Sequence, residues 1–119
     1  MIEISKGISL FNEADFFSAH DFFEDCWVIC DREERLFFQG MVQISVGCFH
    51  LLSGNYKGSL SQFMKGTKKL RNFKPSYREI NIDKLVNEIE VLITTLTENS
   101  INEDPKNFWE MIPKIEFDT

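Results

Sequence analysis

The chain has 119 residues, 43% of them hydrophobic, with a formal charge of −6 at pH 7 and a pI near 4.9. This length and apolar content suit one domain around one core and exclude a disordered chain. The acidic balance speaks against bulk attraction to nucleic acid or to an anionic membrane, and leaves only local basic patches for such contacts.

The opening residues, Met1 to Lys6, lack the basic, apolar, small-residue order of a signal peptide. Three Cys residues cannot all pair within one chain. The expected location is therefore the cytoplasm, with reduced thiols. A first helix is expected from about Ile4 to Asn12, with Ile4, Ile8 and Phe11 on one face. Asp15 reads as the N-cap of a second helix, from about Phe16 to Ile29.

The charged run Asp31-Arg32-Glu33-Glu34 leads into a third helix, from about Glu33 to Ser53, stopped by the Gly54-Asn55 turn signal. Leu36 to Tyr56 is a run of 21 residues without a charge, long enough to span a bilayer. It also holds Gln39, Gln43, Ser45, His50, Ser53 and Asn55, so a central buried helix is the better reading.

A fourth helix should run from about Tyr56 to Arg71, with Leu60, Phe63, Met64, Thr67 and Leu70 as its apolar stripe. Lys65, Lys68, Lys69 and Arg71 load its C-terminal end, where cations complement the helix dipole. A loop from Asn72 to Asn81 contains Pro75, and a fifth helix follows from about Ile82 to Glu98. No segment alternates convincingly with period two. The expected fold is all-α, a compact bundle of about five helices made of two stacked antiparallel hairpins plus a C-terminal helix.

The bundle is expected to occupy residues 1–101, and 102–119 to form a C-terminal segment. There Asp104 and Pro105 can start a short turn, and Phe108, Trp109 and Ile112 form an apolar plug. The plug is expected to cover the domain's own core; docking on a second subunit, as a homodimer, is the alternative. A faint repeat supports the hairpins. Phe11 to Ala19 resembles Leu51 to Ser59 at an offset of 40, with Asp or Asn, an aromatic and then a small residue at each junction. Tetratricopeptide-type hairpins use small residues in this way.

Polar residues recur inside the apolar faces. His20, Glu24 and Trp27 lie at i, i+4 and i+7 of the second helix. Gln39, Gln43 and His50 recur with Val46 in the third, within a stripe about 60° wide at 3.6 residues per turn. The residues Asn12, Phe16 or Phe17, Ala19-His20-Asp21, Glu24 and Trp27, then Gln39-Gly40-Met41-Val42-Gln43 and His50, then Gly54-Asn55 and Gly58, resemble the domain of unknown function 309 family. Pro75, Tyr77, Ile80 and Asp83 continue the likeness, while Asp21 stands where the family pattern has Glu. The resemblance implies a small helical fold and a site around these positions, without naming an activity.

If the second and third helices pack antiparallel, His20 comes near His50 and Trp27 near Gln39. Three readings follow. His20, Glu24, the two Gln and His50 can form a buried hydrogen-bond network that fixes helix register. With Trp27 they can line a pocket for an unknown small ligand or a protein partner, making the chain a binding or interaction module. Two imidazoles and a carboxylate, His20, Glu24 and His50, can hold a divalent metal such as Zn²⁺ or Fe²⁺ for a metal-dependent hydrolase. In a metal-free variant of that third reading, Glu24 tunes His20 as a general acid–base. Cys26 projects roughly opposite Glu24, and all three thiols read as buried.

Overall fold

The computed structural model describes residues 2–99 and 104–118. They contain α1 (Ser5–Asn12), α2 (Phe16–Ile29), α3 (Arg35–Leu52), α4 (Tyr56–Leu70), α5 (Ile82–Asn99) and the short α6 (Lys106–Trp109). The all-α expectation holds. Two details differ from it. Arg32–Glu34 forms a separate 3-10 turn ahead of α3, and a small antiparallel hairpin, β1 (Ser76–Tyr77) with β2 (Ile80–Asn81), sits in the expected α4–α5 loop. Strands of two residues are too short to print a period-two pattern. No helix among the described residues is long and apolar enough to cross a membrane.

From α1 to α5 each helix packs on the next, so hairpins α1–α2 and α3–α4 stack through the α2/α3 contact and α5 closes on α4, while α6 packs on α3. The centre is α3, whose Phe37, Phe38, Met41, Ile44, Cys48 and Leu51 are fully buried. Its glycines set how near α4 comes. A Cβ on Gly40 would lie 2.9 Å from Leu70, and one on Gly66 would lie 2.7 Å from Ile44 and 3.2 Å from the Gly40 carbonyl oxygen. The two backbones meet where neither carries a side chain. Ser59 completes the contact by donating its hydroxyl to the Gly47 carbonyl at 2.9 Å.

The 40-residue repeat is visible in the backbone. Ala14 and Gly54 hold equivalent places, and both are left-handed, at φ 64° and 80°. The next N–H donates five residues back in each case, Asp15 to Leu10 and Asn55 to His50, both at 2.9 Å. This is a Schellman ending. Asp15 then accepts from the Ser18 amide at 3.2 Å, and Asn55 from the Gly58 amide at 2.9 Å, capping α2 and α4 in the same way.

Residues 104–118 run across both junctions. Phe108 is buried against Tyr56, with ring centroids 5.6 Å apart. The Asn12 side chain clasps Ile115, accepting from its N–H at 2.7 Å and donating to its carbonyl at 2.9 Å. Glu116 then accepts from the Asn81 amide, and Phe117 bridges to Ile80. One part of the expected plug is corrected: Trp109 is 43% exposed, while Phe108, Pro113 and Ile115 do the covering. In so short a helix Phe108 takes the single inward direction, and the adjacent Trp109 is turned away from it. The expected boundary at 101/102 lies outside the described residues.

Ala14→Gly should stabilise the fold by about 0.5 kcal/mol, because the left-handed turn then carries no Cβ. Gly54→Ala should destabilise it by about 1 kcal/mol, since its Cβ also lies 3.3 Å from Pro105. Denaturant titration of the two variants reads opposite signs. Deleting residues 104–118 should cost about 3 kcal/mol from lost burial and lower the melting temperature by about 10 °C.

Candidate functional site

The apolar stripes of α2 and α3 turn Phe16, Ala19, Phe23 and Cys26, and Phe37, Met41, Ile44 and Cys48, inward. The polar set is rotated away from those stripes. His20, Trp27, Gln39, Gln43 and His50 are half-buried along one side of the α2–α3 pair, and Glu24 is exposed. Helical phase therefore turns the six residues away from the buried stripes of their own helices, toward solvent.

Four of the six side chains take a local partner among the described residues. His20 Nδ1 lies 2.6 Å from the Phe17 carbonyl oxygen, so Nδ1 carries the proton, and Nε2 stands 3.6 Å from Asp21. His50 Nδ1 accepts from the Asn55 side-chain amide at 3.4 Å, which ties it to the α4 cap. Gln43 accepts from Lys69 Nζ of α4 at 2.9 Å. The Arg35 guanidinium lies over the Trp27 ring, 4.2 Å from its centroid. Among the described residues no hydrogen bond joins any two of the six, and no buried side-chain polar atom lacks a partner. No group of three His, Cys, Asp or Glu side chains among them is placed to hold a metal ion. His20, Glu24 and His50 thus do not form the metal set that their spacing allowed.

Two aromatic residues of this face escape sequence reasoning. Phe17 is 57% and Phe49 43% exposed, with ring centroids 5.9 Å apart, and Phe17 also stands edge-on to His20 at 5.2 Å. Nothing in the composition separates these two rings from the ten other Phe. Their positions one residue off the buried stripes, beside Phe16 and Cys48, were the available signal. Charge is segregated between the two helices that pack on α3. The α2 sequence holds Asp21, Glu24 and Asp25 and no Lys or Arg; the α4 sequence holds Lys57, Lys65, Lys68 and Lys69 and no carboxylate.

At the far end of α2 an open cleft of about 1000 Å³ lies between Ile2, Phe22, Cys26, Ile29 and the hairpin residues Tyr77 and Arg78. Its polar floor is already satisfied. Glu34 takes Arg78 Nε at 2.5 Å and Nη2 at 2.7 Å, and accepts from the Tyr77 hydroxyl at 3.1 Å. Arg78 Nη1 donates to the Ile2 carbonyl at 2.8 Å. This bidentate clamp joins Ile2, the turn ahead of α3 and the hairpin. Arg78 and Glu79 are the two central residues of the hairpin turn and are left-handed, at φ 50° and 64°, as a two-residue turn of this twist requires. The thiols are not activated. Burial pushes Cys26 up to about 11, and it raises Cys30 and Cys48 as well, so all three stay protonated at neutral pH.

The Arg78 hydrogen bonds hold the Glu34 carboxyl below its ordinary value of 4.5, against the opposing effect of burial. A depressed carboxylate contributes stability that is complete above the unfolded value and is lost as pH falls through the folded one. Glu34→Gln should therefore cost roughly 2 kcal/mol at pH 7. It should also flatten the fall in melting temperature below about pH 4.5, followed by circular dichroism.

No curated protein matches the chain. Residues 4–62, from α1 into α4, match a family model described as Domain of unknown function (DUF309). That segment carries α1, α2, α3, both repeat junctions and all six candidate positions, and by it the chain belongs to the DUF309 family.

Proposed function

We propose that this chain is a small helical interaction module, and that its binding surface is the solvent-open face of α2, α3 and α4. The observation that carries the reading is the pair Phe17 and Phe49, tilted against each other with centroids 5.9 Å apart while roughly half exposed. Exposed aromatic pairs on an otherwise well-packed domain mark interaction surfaces. Three features support it. The core already satisfies its own buried polar groups, so the face is free of structural duty beyond the local bonds of His20, Gln43 and His50. A shallow hollow of about 270 Å³ between Phe16, Phe17, Phe49 and Leu52 gives an apolar side chain somewhere to sit. Trp27, Gln39 and Gln43 extend the face with groups that bind both apolar and polar surfaces.

The partner on this reading is a protein surface rather than a small metabolite, because a ring pair on an open face buries a broad surface better than a compact ligand. Photo-crosslinking in cells tests it. A benzoylphenylalanine replacing Gln39 should capture a discrete protein adduct, and one replacing the exposed Thr94 on α5 should not. Phe17→Ser combined with Phe49→Ser should remove the adduct while leaving the melting temperature within a few degrees. Each ring should contribute roughly tenfold in affinity. Equal capture at Gln39 and Thr94, or capture unaffected by loss of both rings, sinks the reading.

A further inference from the structure

We infer that the cleft beside Ile2 and Arg78 is a second docking groove, and that it takes a basic protein segment with a bulky apolar side chain set between lysines or arginines. The groove stands apart from the Phe17–Phe49 surface. Its α2 wall, Phe22, Asp25 and Ile29, lies about 140° around that helix from Phe17, His20 and Glu24 at 3.6 residues per turn. Its volume of about 1000 Å³ is at the top of the range for ligand pockets, and it is open to solvent. Ile29 is 73% exposed, more than any other large apolar side chain among the described residues, and Ile2 and Phe22 are half-buried in the same lining. The protonated thiols of Cys26 and Cys30 add apolar surface there. A compact ligand on the floor would leave Ile29 wet. A chain segment laid through the groove covers it.

Charge identifies the partner. Four carboxylates line the groove, Glu3, Asp25, Asp31 and Glu34, against the single cation Arg78. The whole chain holds 19 carboxylates to 13 Lys and Arg, so its composition alone does not make a lining this one-sided. Arg78 and Glu34 neutralise each other through their bidentate contact, which leaves the field of Glu3, Asp25 and Asp31 over the walls. The neighbouring cations do not line the groove: Arg35 is turned over the Trp27 ring, and Lys6 and Arg32 stand outside the lining. Glu3 is fixed in place by accepting from the Ser5 amide at 2.8 Å. Carboxylates around low-dielectric walls concentrate negative potential in the cleft between them. A segment with cations on both sides of one large apolar residue sets that residue on Ile2, Phe22 and Ile29 and its charges on the rim. The same rim repels an acidic segment.

A synthetic peptide of two leucines with two lysines on each side, carrying a fluorophore, is the probe. Anisotropy titration of the native chain should saturate at one peptide per chain and weaken as salt is raised. Asp25→Lys with Asp31→Lys should weaken binding at least tenfold, and Ile29→Ser should weaken it about tenfold. Glu13→Lys with Glu98→Lys alters the net charge equally, away from the groove, and should leave affinity within about twofold. All five positions are exposed, so folding is checked by an unchanged circular dichroism spectrum. Amide chemical shifts should move along residues 22–31 and at Tyr77 and Arg78. Absence of saturable binding, equal binding of a peptide with glutamates in place of the lysines, or an equal loss in the Glu13 and Glu98 variant each overturns the inference. Shifts confined to the surroundings of Phe17 and Phe49 also overturn it, while leaving that surface as an interaction site.

Discussion

The approach of α3 to α4 through Gly40 and Gly66 is the constraint on which the rest of the structure depends. A Cβ at either position would collide with the opposite helix or its side chains. With both absent, α3 sits deep enough for Phe37, Met41, Ile44, Cys48 and Leu51 to be fully buried. Depth on that side decides what remains on the other. The outward strip of α3 is narrow and uncharged beyond Arg35, and Gln43 comes within 2.9 Å of Lys69 because the two helices are so near. The same closeness lets Ser59 reach the Gly47 carbonyl, a buried hydroxyl that would otherwise be costly.

Around this contact the chain uses one junction twice. Left-handed Ala14 and Gly54, and the caps Asp15 and Asn55, fix two hairpins with the same entry angle. As a result α2 and α4 run in the same direction on either side of α3. One of the flanking helices is acidic and the other basic. The C-terminal segment then locks the arrangement from outside, since Asn12 at the end of α1 grips Ile115 and the hairpin grips Glu116 and Phe117.

The cleft beneath Arg78 illustrates how a perturbed site can be structural. It is roomy, contains a carboxylate held below its ordinary range, and is flanked by two residues in unusual backbone conformations. Yet the carboxylate is explained by one bidentate clamp with its donors satisfied, the backbone by a two-residue hairpin turn, and the thiols nearby are raised rather than lowered. Perturbation of an ionisable group points to function only when a partner or a reacting atom is missing from its surroundings.

Helix positions, capping residues and the 40-residue repeat were legible in the sequence because they depend on local chemistry. Asp15, Asn55 and Gly54 act within a few residues of themselves, and the spacing in α5 of Leu85, Ile89, Leu92 and Leu96 needs no distant partner to be read. The helical phase of His20, Glu24, Gln39, Gln43 and His50 was legible for the same reason. Whether that phase faced inward was a tertiary matter. It was decided by the glycine contact, which buried the opposite side of α3 against α4. Tertiary packing alone also exposed Phe17 and Phe49 among twelve chemically identical rings, turned Trp109 outward, and joined Arg78 to Glu34. Sequence pattern reports the angle of a side chain around its own helix; which angle points to solvent depends on the neighbours that helix acquires.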